Sequence, residues 1–320
     1  MENTLIEFKN VQKTFGVKNA VKNLSFSVNN GEFFVLVGAS GSGKTTTLRM
    51  INELIRPTDG DIYFNNKRIK DYNERALRLQ MGYVLQQIAL FPNMTVAQNV
   101  MLIPSLKKFD KRDFPKLINR LLSDVDLDAQ SYRDRMPNEL SGGEQQRIGI
   151  LRAFAAQPKI VLMDEPFSAL DPISRTQLQN LVLDIHHKLQ STIVFVTHDM
   201  DEALKLGDRI GVMREGKLLQ VGTPKEVVQH PVNDFVQKLF ENSMSHDVYD
   251  VLLRKLNVLG YMKSVENSVG KTKLSQDDTI RDALSVLTEQ SKVSVNIDDS
   301  RYVELTRDNL FRFISDYRNH

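Results

Sequence analysis

No cysteine occurs in the 320-residue chain, which excludes disulfides and thiolate-ligated metal sites. Its absence fits a reducing compartment such as the cytosol. A surplus of one charge is also missing: 42 basic residues stand against 40 acidic ones, a net of +2. Proteins that coat nucleic acid carry a basic excess, so this balance gives that class no support. Long apolar runs are lacking too. The longest, such as "FFVLV" and "IVLM", fall far short of the about 20 residues a membrane-spanning helix requires. The opening "MENTLIEFKN" has neither the basic segment nor the apolar stretch of a signal peptide. Internal repeats, low-complexity tracts and sustained heptads are absent as well. The chain is expected not to cross a membrane by itself, yet it is free to dock on a protein that does.

What is present is a core-forming composition, 41% apolar, in a chain long enough for two domains. "FFVLVG" (33–38), "IVLMDE" (160–165) and "TIVFVTH" (192–198) are continuous β-rich runs, each followed by a helical pattern. Strands buried on both faces read this way, which predicts a parallel sheet covered by helices. "LIEFKNV" and "AVKNLSFSV" instead alternate apolar and polar residues and predict half-exposed antiparallel strands. "RIGVM" and "KLLQVG" (209–222) are expected to be of that half-exposed kind, joined as a hairpin by Arg214, Glu215 and Gly216. Residues of about 88–157 read as a helical insertion; Phe114, Leu117, Ile118, Leu121 and Leu122 form one apolar stripe. A boundary is expected near 241–247, in "ENSMSHD". Beyond it the pattern is helix, strand, strand, helix.

"GASGSGKTT" (38–46) fits G-x-x-x-x-G-K-[ST] between a strand and a helix. Gly38, Gly41 and Gly43 let the backbone curl around Ser40 so that its N–H groups face inward, and the helix N-terminus adds partial positive charge. Lys44 is placed to reach β- and γ-phosphates, the Thr45 hydroxyl suits Mg²⁺, and Thr46 continues the first turn. Asp164 and Glu165 end a buried run, where ligands of open α/β sheets bind. Neighbours on a strand face opposite ways, so Asp164 suits Mg²⁺ and Glu165 suits deprotonation of an attacking water. The alternative is an acidic strand end capping the turn at Pro166. His198 follows a third strand and Gln86 a fourth short apolar run; each has a purely structural alternative. A parallel sheet would gather these four ends along one edge.

In "ELSGGEQQR" (139–147), Ser141 and Glu144 form a capping box, and Ile148, Leu151 and Ala155 a buried stripe. Gly142 and Gly143 are poor residues for such a helix, disfavoured by about 0.5–1 kcal/mol each relative to alanine. Glycine serves where something approaches the backbone, and helix N-termini attract anions. The stretch therefore reads as a second phosphate site, about a hundred residues from the first, and the sequence pattern leaves open whose phosphate it touches.

"GASGSGKTT", Gln86, "LSGGEQQR", "IVLMDEP", "SALD" and "THD" occur in the order and spacing of ATP-binding-cassette (ABC) ATPases, over about residues 4–240. The resemblance implies a P-loop NTPase fold (a mixed-sheet α/β core, an antiparallel β subdomain and a helical insertion) that hydrolyses ATP with Mg²⁺ held by Thr45, Gln86 and Asp164. It further implies a head-to-tail pair of two copies, in which Ser141, Gly142, Gly143 and Glu144 of one chain close over the γ-phosphate held by the other. Phe15 resembles the aromatic that stacks on adenine, where many members have tyrosine. Glu165 matches the general base, His198 the switch histidine on the γ-phosphate, Gln86 the glutamine that senses the transport partner, and Asp171 the aspartate coupling the two ATP sites.

"NELIRPTDGDIYFNNKRI", "MGYVLQQIALFPNMTVAQNV" and "GVMREGKLLQVGTPKEVVQHPVNDFV" are most similar to the importer subfamily for quaternary-amine osmoprotectants: glycine betaine, carnitine and choline. That implies a separate integral-membrane permease, an indirectly engaged substrate-binding protein, and a place on the cytoplasmic face of the membrane. The segment after Gln86 would line the groove for a permease helix. Import of an amino acid or a histidine-derived betaine is one alternative; a soluble ABC protein outside transport is another. Domain 1–240 is then the nucleotide-binding domain. Residues 247–320 resemble a single degenerate α+β cystathionine-β-synthase-type (CBS) module, with residues 247–270 a candidate remnant of a second. The glycine usual before the last strand of such modules is absent, with Tyr302 and Val303 there, while Thr306, Arg307 and Asp308 stand at the start of the last helix, where the resemblance implies contact with the ribose or phosphate of an adenine-containing or cyclic-dinucleotide regulator; a capped helix on a dimerisation module is the structural alternative.

Overall fold

Three continuous apolar runs become the centre of a six-stranded sheet in the computed structural model, which describes residues 4–241, 248–265, 273–298 and 301–318. The chain forms two units, Met1–Val221 and Gly222–His320. The first opens with β1 (Thr4–Phe15), β2 (Lys18–Asn29) and β3 (Phe33–Val37), followed by α1 (Lys44–Ile51), β4 (Asp59–Phe64), β5 (Lys67–Arg68) and α2 (Glu74–Arg78). Next come β6 (Met81–Val84) and four helices, α3 (Val96–Leu106), α4 (Phe114–Ser123), α5 (Ala129–Tyr132) and α6 (Gly142–Phe154). The unit closes with β7 (Ile160–Asp164), α7 (Pro172–Leu189), β8 (Thr192–Thr197), α8 (Met200–Leu206), β9 (Arg209–Arg214) and β10 (Lys217–Gly222).

The large sheet runs β10-β9-β3-β8-β7-β6, with β9, β3, β8, β7 and β6 parallel. Every residue of β3, β7 and β8 is buried, as their uninterrupted apolar sequence requires. A second sheet, β2-β1-β4-β5, is antiparallel, and its alternating strands present one apolar face to the first. Phe8, Phe26 and Phe34 stack across the join with centroids 4.5 and 5.2 Å apart. Parallel order makes β6, β7, β8 and β3 end side by side, with Val37 opposite Thr197 and Asp164 opposite Val196.

Strand β9 corrects the sequence expectation. Ile210–Met213 are wholly buried and pair in parallel with β3. The flanking Arg209 and Arg214 and the small Gly211 had imitated a half-exposed alternation. Its hairpin to β10 is present, with left-handed backbone at Glu215 (φ 50°) and Gly216 (φ 82°), the pattern of a two-residue turn matched to strand twist.

The second unit begins at Gly222, ahead of the boundary expected near 241–247. It contains α9 (Pro224–Gln229), α10 (Asp234–Glu241), α11 (Leu253–Val258), β11 (Lys263–Val265), β12 (Lys273–Ser275), α12 (Ile280–Glu289), β13 (Lys292–Asp298), β14 (Arg301–Thr306) and α13 (Arg307–Arg318). Gln229 Nε2 donates to the Val258 carbonyl at 2.7 Å, tying α9 to α11. Most of the expected boundary stretch, residues 242–247, lies outside the described residues. The expected helix–strand–strand–helix is α12, β13, β14 and α13. Its sheet has the order β11-β14-β13-β12, over a core of Leu253, Leu256, Val293, Val295, Leu305 and Phe313. Within 247–270, the described α11 and β11 join this one sheet and core rather than forming a second repeat.

Candidate functional site

The glycine-rich loop between β3 and α1 is built by backbone that other residues adopt poorly. Gly38 has φ 152°, and a Cβ there would lie 2.1 Å from the Met213 carbonyl oxygen; at Gly43, φ 103°, it would lie 2.6 Å from that of Ala20. No side chain caps α1, so its first N–H groups face into the loop. Lys44 is only 4% exposed and folds back along the loop, Nζ donating to the carbonyls of Gly38 at 2.6 Å and Ala39 at 3.2 Å. Burial lowers its pKa, opposed by Glu165 and Asp164. Ser40 is exposed on the loop, Gly41 turns it at φ 77°, and Thr46 is half-buried in α1.

Asp164, 1% exposed, ends β7. Its Oδ1 accepts from the Thr45 hydroxyl at 2.7 Å, and its Oδ2 lies 3.5 Å from Arg49 Nη2. Thr45 and Arg49 are four apart on α1 and share a face, the spacing that identifies Arg49, a residue sequence reasoning missed. Thr45 and Asp164 offer two hard oxygen donors, which suit Mg²⁺ completed by phosphate and water rather than a metal caged by protein. Among the described residues, no group of three or more His, Asp or Glu could hold a metal ion.

Glu165 is not on the strand. It follows β7 with φ 44°, its N–H donating to the Val196 carbonyl at 2.9 Å. This left-handed step, rather than strand alternation, points the two acids apart. Glu165 Oε2 meets His198 Nδ1 at 2.9 Å, and the histidine, on the loop after β8, is 57% exposed at its side chain. Behind the pair, Arg175 Nη1 lies 3.5 Å from Asp199 Oδ2, and Nη2 donates to the Leu170 carbonyl. Gln86 is exposed two residues beyond β6. The loop, the acids, the histidine and the glutamine thus share one sheet edge. Phe15 is 48% exposed at the end of β1, with Lys13 Nζ 4.8 Å from its ring centroid.

Two other predicted residues act visibly as helix caps. Asp171 Oδ1 accepts from the N–H groups of Ile173 and Ser174 at the start of α7, and the hydrogen bonds from Ser174 hold its carboxyl below the ordinary range. Ser141 caps α6, with Glu144 completing the box. Helix α6 is pinned along its length: Gln146 Nε2 donates to the Pro166 carbonyl at 2.6 Å, and Arg152 Nη1 to that of Ala89 at 2.7 Å. Gly142 and Gly143 have no positive φ. A Cβ at Gly142 would meet nothing within 4 Å, and one at Gly143 only Ser174 Oγ at 3.9 Å.

Beside Gln86 an apolar groove of about 550 Å³ is lined by Leu79, Leu85, Leu90, Phe91, Ile103 and Arg152. Its outer segment is held by Asn99, which is fully buried on α3: Oδ1 accepts from Phe91 N–H at 2.8 Å, and Nδ2 donates to the carbonyls of Phe91, Met94 and Thr95. Burial lowers the pKa of Arg152. No helix among the described residues is long and apolar enough to cross a membrane.

A phosphate loop opening α1, facing carboxylates at the end of a neighbouring parallel strand, defines a nucleoside-triphosphatase of the P-loop class. Comparison with known proteins narrows this. A family model described as ABC transporter matches residues 21–168. The choline transport ATP-binding protein of Bacillus subtilis is 48% identical over 235 residues, 73% of this chain but 61% of that protein. The glycine betaine uptake system ATP-binding protein of Escherichia coli is 43% identical over 282 residues, 88% of this chain and 90% of that one. Among solved structures, a dimeric ATP-binding cassette in a post-hydrolysis state with ADP and Pi is 33% identical, with a TM-score of 0.62 over 68% of this chain and 98% of that chain. The chain belongs to the ABC transporter family.

Proposed function

We propose that this chain is the ATP-hydrolysing subunit of an importer for a quaternary-amine osmoprotectant such as glycine betaine, carnitine or choline. Two copies would pair head to tail, on the cytoplasmic face of the membrane, beneath a separate permease served by a substrate-binding protein. The observation that carries the pairing is the freedom around Gly142 and Gly143. Nothing in their own chain requires glycine there, so the requirement comes from outside it. A γ-phosphate held by the partner copy fits a capped helix N-terminus with bare backbone. The apolar groove beside Gln86 would receive a permease helix.

Within each site Phe15 would stack on adenine, and Lys44 and the loop N–H groups would hold the phosphates. Thr45 and Asp164, with Gln86, would hold Mg²⁺, which supplies charge neutralisation on the phosphate oxygens. Glu165 would take the proton of the attacking water, oriented by His198 from its other side. Asp171 would report from one site to the other. The test is uptake of labelled glycine betaine, carnitine and choline, with methionine and a histidine-derived betaine alongside, at low and high osmolarity. In cells carrying the transporter genes, quaternary-amine uptake should vanish with Glu165→Gln. Uptake of only another solute would discard the substrate assignment and keep the ATPase.

For the second unit we propose a single CBS-like module that pairs across the dimer and regulates transport through an adenine-containing or cyclic-dinucleotide ligand. The succession β12, α12, β13, β14, α13 supports it. Arg307 qualifies the ligand contacts: its guanidinium donates to the carbonyls of Leu287, Thr288 and Gln290, closing the end of α12. Thr306 Oγ1 accepts from Asn309 N–H, so it caps α13. Asp308 is left as the polar group of this trio for a ribose. Regulation by cyclic dinucleotide that survives removal of residues 247–320 would sink the proposal.

A further inference from the structure

The signature stretch is held by a side chain outside its own helix. Tyr132, ending α5, donates from Oη to Glu144 Oε1 at 2.5 Å. Glu144 Oε2 accepts from Ser141 N–H at 2.7 Å, and Ser141 Oγ accepts from Glu144 N–H at 3.3 Å. Both carboxylate oxygens are therefore engaged inside the chain, one by the cap and one by Tyr132. These bonds, Tyr132's foremost, keep Glu144 below the ordinary carboxylate range, so it is ionised at neutral pH. A negative charge beside the stretch that would meet a triphosphate repels it, and the repulsion grows as the carboxylate comes closer, so holding it away lowers the cost.

Tyr132 is itself well supported. The Arg135 guanidinium lies 4.3 Å from its ring centroid. The carbonyls of Arg133 and Arg135 accept the N–H groups of Ala97 and Val96, both at 2.9 Å, at the start of α3. Asn99, one turn on, holds the groove segment through Phe91. One loop therefore supports both the groove and the signature stretch. A cavity of about 760 Å³ beside it has Tyr132, Ser141, Gly143, Glu144 and Arg147 in its walls.

We infer that Tyr132 is a positioning residue for the signature stretch: by holding the Glu144 carboxylate it keeps that charge off the partner's γ-phosphate and fixes Ser141 for contact. This rests on the head-to-tail pairing proposed above, and the experiment separates the two. In full-length Glu165→Gln protein, ATP is titrated while dimer formation is followed by light scattering, and fluorescent ADP reports single-site affinity. A Glu165→Gln chain that stays monomeric at saturating ATP overturns the pairing and this inference with it. If it pairs, adding Tyr132→Phe should raise the ATP concentration for half-dimerisation about tenfold, with ADP affinity unchanged within about twofold. Adding Glu144→Gln as well keeps the capping box and removes the charge, so most of the loss should be recovered. A dimerisation curve unmoved by Tyr132→Phe overturns the inference. So does a parallel loss of ADP affinity, or a Glu144→Gln effect that adds to the loss rather than reversing it.

Discussion

Alanine at Gly143 should push stability and activity in opposite directions. The glycine sits in the first turn of α6 with ordinary helical φ, and a new Cβ finds Ser174 Oγ at 3.9 Å, an ordinary contact. Replacing glycine by alanine in a helix favours the folded state by about 0.5–1 kcal/mol, somewhat less near an end. For a domain of this size that amounts to a rise of about 1–4 °C in melting temperature. Under the proposed head-to-tail pairing, the methyl would nonetheless stand where the partner's phosphate approaches the backbone. Three measurements suffice: thermal melting without nucleotide, fluorescent ADP binding, and steady-state ATP hydrolysis. The expected result is an equal or higher melting temperature, unchanged ADP binding and turnover reduced by about a hundredfold, the scale of losing a phosphate-stabilising contact. A lower melting temperature would mean the glycine serves its own fold, and wild-type turnover would mean nothing approaches it. Either result refutes the reasoning.

Gly38→Ala should behave in the contrary way, losing ADP binding and stability together, because its Cβ would overlap the Met213 carbonyl; a nucleotide-binding titration and a melt check it. Asn99→Ala would leave the Phe91 N–H without its partner and its carbonyl with only the Met94 N–H, and should lower stability by about 1–3 kcal/mol in a denaturant titration, with uptake falling further than the ATPase of the isolated subunit. His186, buried beside Phe33, has its pKa lowered by burial from the usual 6.5. The folded state thus disfavours its protonation, and this contribution is present above about pH 6.5 and lost as pH falls towards the folded pKa. His186→Gln should flatten that part of the stability profile measured between pH 7.5 and 5.

The site was legible where chemistry needs residues adjacent in sequence. Uninterrupted apolar runs fixed β3, β7 and β8, and a parallel sheet then had to bring their ends together. Glu165's left-handed backbone was not legible, because glutamate carries no signal for positive φ. Neither was Tyr132, whose partner lies twelve residues away across a turn with no shared helical face. Strands β11 and β12 have three residues each, too few to display a period of two. Helices α9 and α10 continue the family-like sequence past β10, so only spatial grouping assigns them to the second unit.

Helix α6 has mechanical meaning as a lever. Its signature end begins at Ser141, its groove end bonds the Ala89 carbonyl through Arg152, and Gln146 is tethered to Pro166 between them. At 1.5 Å of rise per residue the two arms are about 8 and 9 Å long. A swing of about 10° about the tether would carry each end by about 1.3–1.6 Å, in opposite directions, more than the tolerance of a hydrogen bond. Under the proposed pairing, a swing of that size driven from the groove would make or break contact at the partner's phosphate, and closure on that phosphate would push back on the groove.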